Sequence, residues 1–323
     1  MSASRPVLLD CDPGHDDAIA ILLAVSDPGI DLRAVTTVAG NSTLENTTRN
    51  ALRVLDMVGR PDIPVASGRA APLVRELSTA AIMHGVGGLE GPLPAEPSRP
   101  ALQAPALELI EQVLTDADEP VTLVATGPLS NMADVVTQLP HLRDRIRELV
   151  IMGGAVDLGN WTPAAEFNIW VDPHAAEIVF GAACPPGAER GEQHHIPLTM
   201  IGLEVTHKAW LTDEHADALR HTGTTGRFVA ELLDHFVGFH QRRFGWEGGP
   251  IHDAVTIAHL IDPTLVTVLP MNVQIETESP LCIGRTVADR WAVTDRVPNA
   301  GVGLDIDRNR FVTMLLEHMS RLP

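Results

Sequence analysis

Short, unbroken apolar runs alternate with amphipathic stretches through the first two thirds of the chain. PVLLD (6–10), LRAVTTVA (32–39), IPVASG (63–68), VTLVAT (121–126), RELVIMGG (147–154) and IPLTMIG (196–202) predict strands. They are apolar at successive positions rather than at every second one. That suits strands buried on both faces, as in a parallel sheet. Between them DDAIAILLAV (16–25), STLENTTRNALRVLDMVG (42–59), APALELIEQVLTDA (104–117), LSNMADVVTQL (129–139) and DPHAAEIVFGAA (172–183) predict helices. Ser42 and Glu45 stand at capping-box spacing at the head of the second helix, which ends at Gly59. Strand, helix, strand at this rhythm implies right-handed crossovers and an α/β fold, a mostly parallel central sheet flanked by helices.

After residue 205 helical periodicity takes over, at 212–220, 225–242 and 253–261. NVQIETE (272–278), RWAVTD (290–295) and GVGLDID (301–307) then predict a small β-rich element before a last helix at 307–320. Neither a linker nor a repeat divides the chain, so 1–323 is read as a single α/β domain. CPPGAERGEQHH (184–195) is a polar loop whose His194 and His195 lack a cysteine or carboxylate in register for a metal.

Composition narrows the choice of partners. The net charge of −19 repels a phosphate backbone, which argues against nucleic acid. The start, MSASRPVLLD, lacks the apolar core of a signal peptide, and no window has the length to cross a bilayer. Three scattered cysteines, Cys11, Cys184 and Cys282, do not make a disulfide framework. A cytoplasmic protein with no membrane partner is the expectation.

The chemistry concentrates where the first strand ends. LLDCDPGHDD places Asp10, Asp12, Asp16 and Asp17 within eight positions, with Pro13 and Gly14 making the turn. In open α/β sheets ligands bind beyond the carboxyl ends of the strands. A helix N-terminus offsets part of such charge but not four carboxylates. A hard divalent cation, Ca²⁺ or Mg²⁺, accounts for the crowding. The EF-hand pattern fails, because Gly14 occupies a ligand position and the loop lacks its closing glutamate. Other polar residues sit at further strand ends: Asn41 in VAGN, Thr126 and Asn131 in VATGPLSN, His252 and Asp253 in PIHDAVTIAHL. Singly each has an ordinary structural reading, as helix entry, N-cap or surface histidine.

Together they resemble the nucleoside hydrolases of the inosine–uridine-preferring type. DCDPGHDDAIAILLA (10–24), TTVAGN (36–41), MHGVGG (83–88), VATGPLSNMA (124–133), MGGAVDLGNWTPAAEFNIWVDPHAA (152–176), PLTMIGLEVTH (197–207) and PIHDAVTIAHL (250–260) carry the resemblance across nearly the whole chain. It implies an N-ribohydrolase that cleaves the bond between ribose C1′ and a nucleobase with bound Ca²⁺. Asp12, Asp17, the Thr126 carbonyl and Asp253 would then ligate calcium, with Asp12 also the general base toward water. Asp16 would hold the ribose 2′-hydroxyl, Asn168 and Asp253 the 3′ side, and Asn160 and Glu166 the 5′-hydroxyl. Asn41 would orient water or ribose, and Asp10 would support the ligands from behind. His252 is the candidate donor to the leaving base, with His84 near the base as another. The resemblance further implies a homotetramer or homodimer.

Base preference stays open, because the chain has no tyrosine to serve as the base contact several family members use. FVGFHQRRFGWEGG offers His240 or Arg243 as hydrogen-bonding groups and Phe244 or Trp246 as stacking ones, unless its phenylalanines face the core. Two other readings compete. A haloacid-dehalogenase-type phosphatase would use Asp10 as nucleophile and Asp12 as acid with Mg²⁺, but Pro13–Gly14 and a single lysine, Lys208, fit it poorly. A calcium-dependent nucleoside-binding protein without catalysis is the second.

Overall fold

The computed structural model describes residues 4–91, 93–191 and 194–323. In chain order the strands are β1 (Arg5–Cys11), β2 (Ile30–Thr37), β3 (Val65–Ser67), β4 (Val121–Ala125), β5 (Ile146–Met152), β6 (Ala183–Cys184) and β7 (Ile196–Ile201). They continue with β8 (Trp210–Leu211), β9 (Gly249–Pro250), β10 (Val266–Met271), β11 (Val273–Ile275), β12 (Thr286–Ala288) and β13 (Ala300–Ile306). The α-helices are α1 (His15–Ser26), α2 (Leu44–Met57), α3 (Ala81–His84), α4 (Ala106–Asp116), α5 (Ser130–Gln138) and α6 (Phe167–Val171). After these come α7 (Pro173–Gly181), α8 (Leu203–Thr206), α9 (Asp213–Leu219), α10 (Thr224–Phe244), α11 (Ala254–Ile261) and α12 (Arg308–Arg321).

The main sheet has nine strands in the order β10-β13-β7-β5-β4-β1-β2-β3, with β6 beside β7. Its pairs are parallel except β10 with β13. Alternate residues of β1 show how both faces are buried. Val7, Leu9 and Cys11 pack with α1, α2, α11 and α12, while Leu8 packs with α4, α5 and α7. Helix α1 is buried from His15 to Ala24, and beyond its acidic first turn it is apolar all round because α2, α11 and α12 cover what the sheet leaves.

The C-terminal third departs from the sequence reading. GVGLDID does not form a small separate element: β13 joins the main sheet beside β7, and β10, not expected at all, pairs against it. Pro270 masked β10, but an edge strand has a free side on which a missing N–H is harmless. No strand forms at 290–295; the partner of β11 is β12, at Thr286–Ala288. The expected capping box at Ser42 and Glu45 is not made, because the Ser42 hydroxyl donates to the Val86 carbonyl at 2.7 Å and α2 begins after Thr43. In the 184–195 loop, His194 pairs with Asp144 at 2.9 Å, and residues 192 and 193 lie outside the described residues. Among the described residues no helix is long and apolar enough to cross a membrane.

Candidate active site

Four parallel strands end side by side, and the chain leaving each of them supplies a polar group. β1 runs on to Asp12 and turns through Pro13 and Gly14 into α1, so Asp16 and Asp17 fall in the first helical turn. Asn41 follows β2, Thr126 follows β4 and Met152 closes β5. Asp253 arrives from the far end of the sequence as the residue preceding α11, whose packing on α1 brings the two helix starts together.

Carboxylate oxygens of Asp16, Asp17 and Asp253 lie within 4.8 Å of one another. Asp17 is the most fully engaged. Its Oδ1 accepts from Thr126 Oγ1 at 2.8 Å and from the Asp12 N–H at 3.3 Å. Its Oδ2 accepts from the Gly14 N–H at 3.0 Å and Asn41 Nδ2 at 3.1 Å. Asp12 Oδ2 accepts from the Asn41 N–H at 2.6 Å, while Asp12 Oδ1 is buried with no hydrogen-bond partner. Glycines make room for that carboxylate: a Cβ on Gly127 would stand 2.8 Å from Oδ1, and one on Gly40 would overlap Oδ2. Asp10 lies below, its Oδ1 accepting from Thr36 Oγ1 at 2.6 Å and Asn131 Nδ2 at 2.8 Å. Asp10, Asp12 and Asp17 are all fully buried and none of the three is among the residues lining the pocket, which Asp16 and Asp253 reach.

Burial sets the protonation of this cluster. It pushes Asp10 and Asp16 up to about 7 and Asp12 and Asp253 well above the carboxylate range, with repulsion from neighbouring aspartates adding to each. Asp17 is raised by the same burial, against its hydrogen bonds. No Lys or Arg is among the residues lining the pocket. Several buried carboxylates, an orphaned oxygen and donors that are all oxygen fit a hard divalent cation, which would let the acids ionise. Of the expected ligands, Asp17 and Asp253 belong to the convergent group. Asp16, expected only to hold ribose, joins them, while Asp12 stands beside it, tied to Asp17 and Asn41. The Thr126 carbonyl accepts from Asn168 Nδ2 at 2.7 Å.

A pocket opens beside the carboxylates. Its lining combines Asp16, Asn41, Thr126 and Asp253 with Asn160, Glu166, Phe167 and Asn168, and with Ala80, Met83, His84, Met152, Phe236 and His252. Both amide hydrogens of Asn168 go to carbonyls, Thr126 and Met152, leaving Oδ1 as an acceptor. Glu166 is pushed up to about 7 by burial and caps α6, accepting from the N–H groups of Asn168, Ile169 and Gly154. Asn160 Oδ1 accepts from the Phe167 N–H at 3.0 Å.

The histidines are uneven in position. His84 lines the pocket, its Nδ1 3.0 Å from His15 Nδ1, and His15 Nε2 donates to the Glu90 carbonyl at 2.8 Å. His252 lines it too, with Nδ1 against Thr206 Oγ1 at 2.8 Å. Burial holds both rings well below the usual histidine range. His240 is not on the wall: it donates to the Phe236 carbonyl and packs between Phe236 and Trp246. Arg243, Phe244 and Trp246 are exposed, and Phe236 takes the aromatic place on the wall. Phe236 was indistinguishable from a core residue because the helical period that buries it also aims it at the pocket. Met83, Met152 and Phe167 carried no signal of their own.

The model of the inosine-uridine preferring nucleoside hydrolases matches residues 7–313. The chain is 47% identical over 319 residues to the pyrimidine-specific ribonucleoside hydrolase RihA of Photobacterium profundum, covering 98% of this chain and 99% of that one. It is 48% identical over 317 residues to the protein of the same name from Citrobacter koseri, covering 98% of each. Among solved structures, the purine-preferring ribonucleoside hydrolase from Gardnerella vaginalis matches with a TM-score of 0.88 at 31% identity over 98% of each chain. This chain belongs to the inosine-uridine preferring nucleoside hydrolase family.

Proposed function

We propose that the protein hydrolyses the N-glycosidic bond of ribonucleosides, with pyrimidine bases preferred and calcium as the resident cation. The observation that carries the reading is the meeting of Asp16, Asp17 and Asp253 beside a pocket lined by Asn160, Glu166 and Asn168. Those acceptors match a sugar, whose hydroxyls donate. The pyrimidine preference draws on the relatives named above at 47% and 48% identity.

Asp12, Asp17, Asp253 and the Thr126 carbonyl would hold the calcium, with Asp16 alongside. A cation held there would supply Lewis acidity toward water and the sugar hydroxyls. Asp12 is the general base. Burial raises its proton affinity, which suits it to take a proton from the attacking water. Asn41, fixed by bonds to Asp12 and Asp17, holds that water or the ribose in line. Asp16, Asn168 and Asp253 accept from the 2′- and 3′-hydroxyls, and Glu166 and Asn160 receive the 5′-hydroxyl. As the C1′–N bond breaks, its electron pair moves to the base and ribose becomes oxocarbenium-like. The surrounding carboxylates and amide oxygens stabilise that positive charge. Water oxygen bonds to C1′, and the proton lost by water balances the one the free base gains. His252 donates a hydrogen bond to the departing base, with His84 beside it.

Base release from uridine, cytidine, inosine and 2′-deoxyuridine in calcium buffer tests the reading. The pyrimidine ribonucleosides should be cleaved fastest and the deoxynucleoside poorly. Inosine outpacing both would overturn the base preference, and no cleavage of any would overturn the activity.

A further inference from the structure

Thr206 closes α8 just beyond the end of β7 and is fully buried. Helix α8 is anchored where its Leu203 N–H donates to the Gly154 carbonyl at 3.0 Å, so Thr206 stands on the same framework that holds Glu166. Among the described residues the Thr206 hydroxyl has a single partner, Nδ1 of His252, at 2.8 Å. A buried hydroxyl whose hydrogen points at nothing costs about 1–3 kcal/mol, so Thr206 donates and Nδ1 accepts. An imidazole that accepts at Nδ1 carries its one hydrogen on Nε2.

We propose that Thr206 is a positioning residue that locks His252 in the tautomer presenting Nε2–H to the departing base. The consequence for catalysis rests on the proposed ribonucleoside hydrolysis; the tautomer itself does not. In the opposite tautomer a lone pair would face the base as it gains negative charge, opposing bond cleavage where a donor assists it. Thr206 falls within PLTMIGLEVTH (197–207), one of the segments that carry the resemblance, but its role is not readable there, since its effect passes through a histidine in a distant segment.

Three measurements test this. Nitrogen-15 NMR of histidine-labelled wild type reads the tautomer directly: the hydrogen belongs on Nε2 of His252, with Nδ1 shifted by an accepted bond. Finding it on Nδ1 would overturn the proposal whatever the activity. Thr206→Val removes the hydroxyl and keeps the shape. Its kcat on uridine should fall about tenfold or more with KM little changed, while 4-nitrophenyl β-ribofuranoside, whose leaving group needs no assistance, stays within about twofold. Thr206→Ser, which restores the donor, should recover most of the loss. Equal losses on the two substrates, or no recovery in the serine variant, would mean that Thr206 only supports packing. A wild type with the expected tautomer but no turnover of uridine would sink the activity instead.

Discussion

Both amide hydrogens of Asn168 are committed to carbonyls at the ends of neighbouring strands, Thr126 at 2.7 Å and Met152 at 3.0 Å. That fixes the amide and turns its oxygen outward, a sense no sequence pattern could specify. Asn168→Asp would set a carboxylate against two carbonyl oxygens. It should cost about 1–3 kcal/mol of stability in denaturant melts and raise KM for uridine, and unchanged stability would refute the clamp. Asp253 acts at the same scale. Asp253→Ala should abolish calcium uptake measured by calorimetry as well as turnover, because it removes from the proposed cation site the one carboxylate of the convergent group that comes from the far end of the chain. His252→Ala should slow uridine far more than 4-nitrophenyl β-ribofuranoside; equal losses would remove its role toward the leaving group. The aspartates were legible in the sequence because four in eight positions demand a reason. The roles of Phe236 and of Thr206, which sits in the quoted segment PLTMIGLEVTH, were not, since they depend on which distant residue faces each of them.

At the scale of elements, the site is a product of strand ends. The runs that became β1, β4, β5 and β7 were readable because both-face burial leaves little room for polar residues. Their carboxyl ends therefore stand out by contrast. β10 escaped notice because an edge strand keeps an exposed side and tolerates Pro270. The Ser42 cap failed because a stronger tertiary partner, the Val86 carbonyl, claims the hydroxyl. The loops between strand and helix are as constrained as the strands. A Cβ on Gly127 would press against Asp12 Oδ1 at 2.8 Å and Val38 Cγ1 at 2.9 Å. Gly127→Ala should therefore weaken calcium binding tenfold or more, roughly 1.4 kcal/mol, as read by calorimetry. Wild-type affinity in that variant would show that the Asp12 carboxylate is not held by this loop.

Across the whole molecule, the buried carboxylates link folding to pH. Burial raises Asp10, Asp16 and Glu166 to about 7. In the folded protein such acids keep protons that the unfolded chain has already lost. Their contribution to stability is complete below the unfolded pKa and disappears as pH climbs through about 7. Metal-free protein should accordingly melt at lower temperature at pH 8 than at pH 6.5, and saturating calcium should flatten the difference. A metal-free melting temperature that does not fall over that interval would mean the cluster is not strained. Uridine hydrolysis by chelator-stripped protein, as calcium is returned, tests the cation's role most directly. Base release should be negligible at first and reach full turnover once each chain has one calcium. Undiminished turnover in the stripped protein would contradict that role.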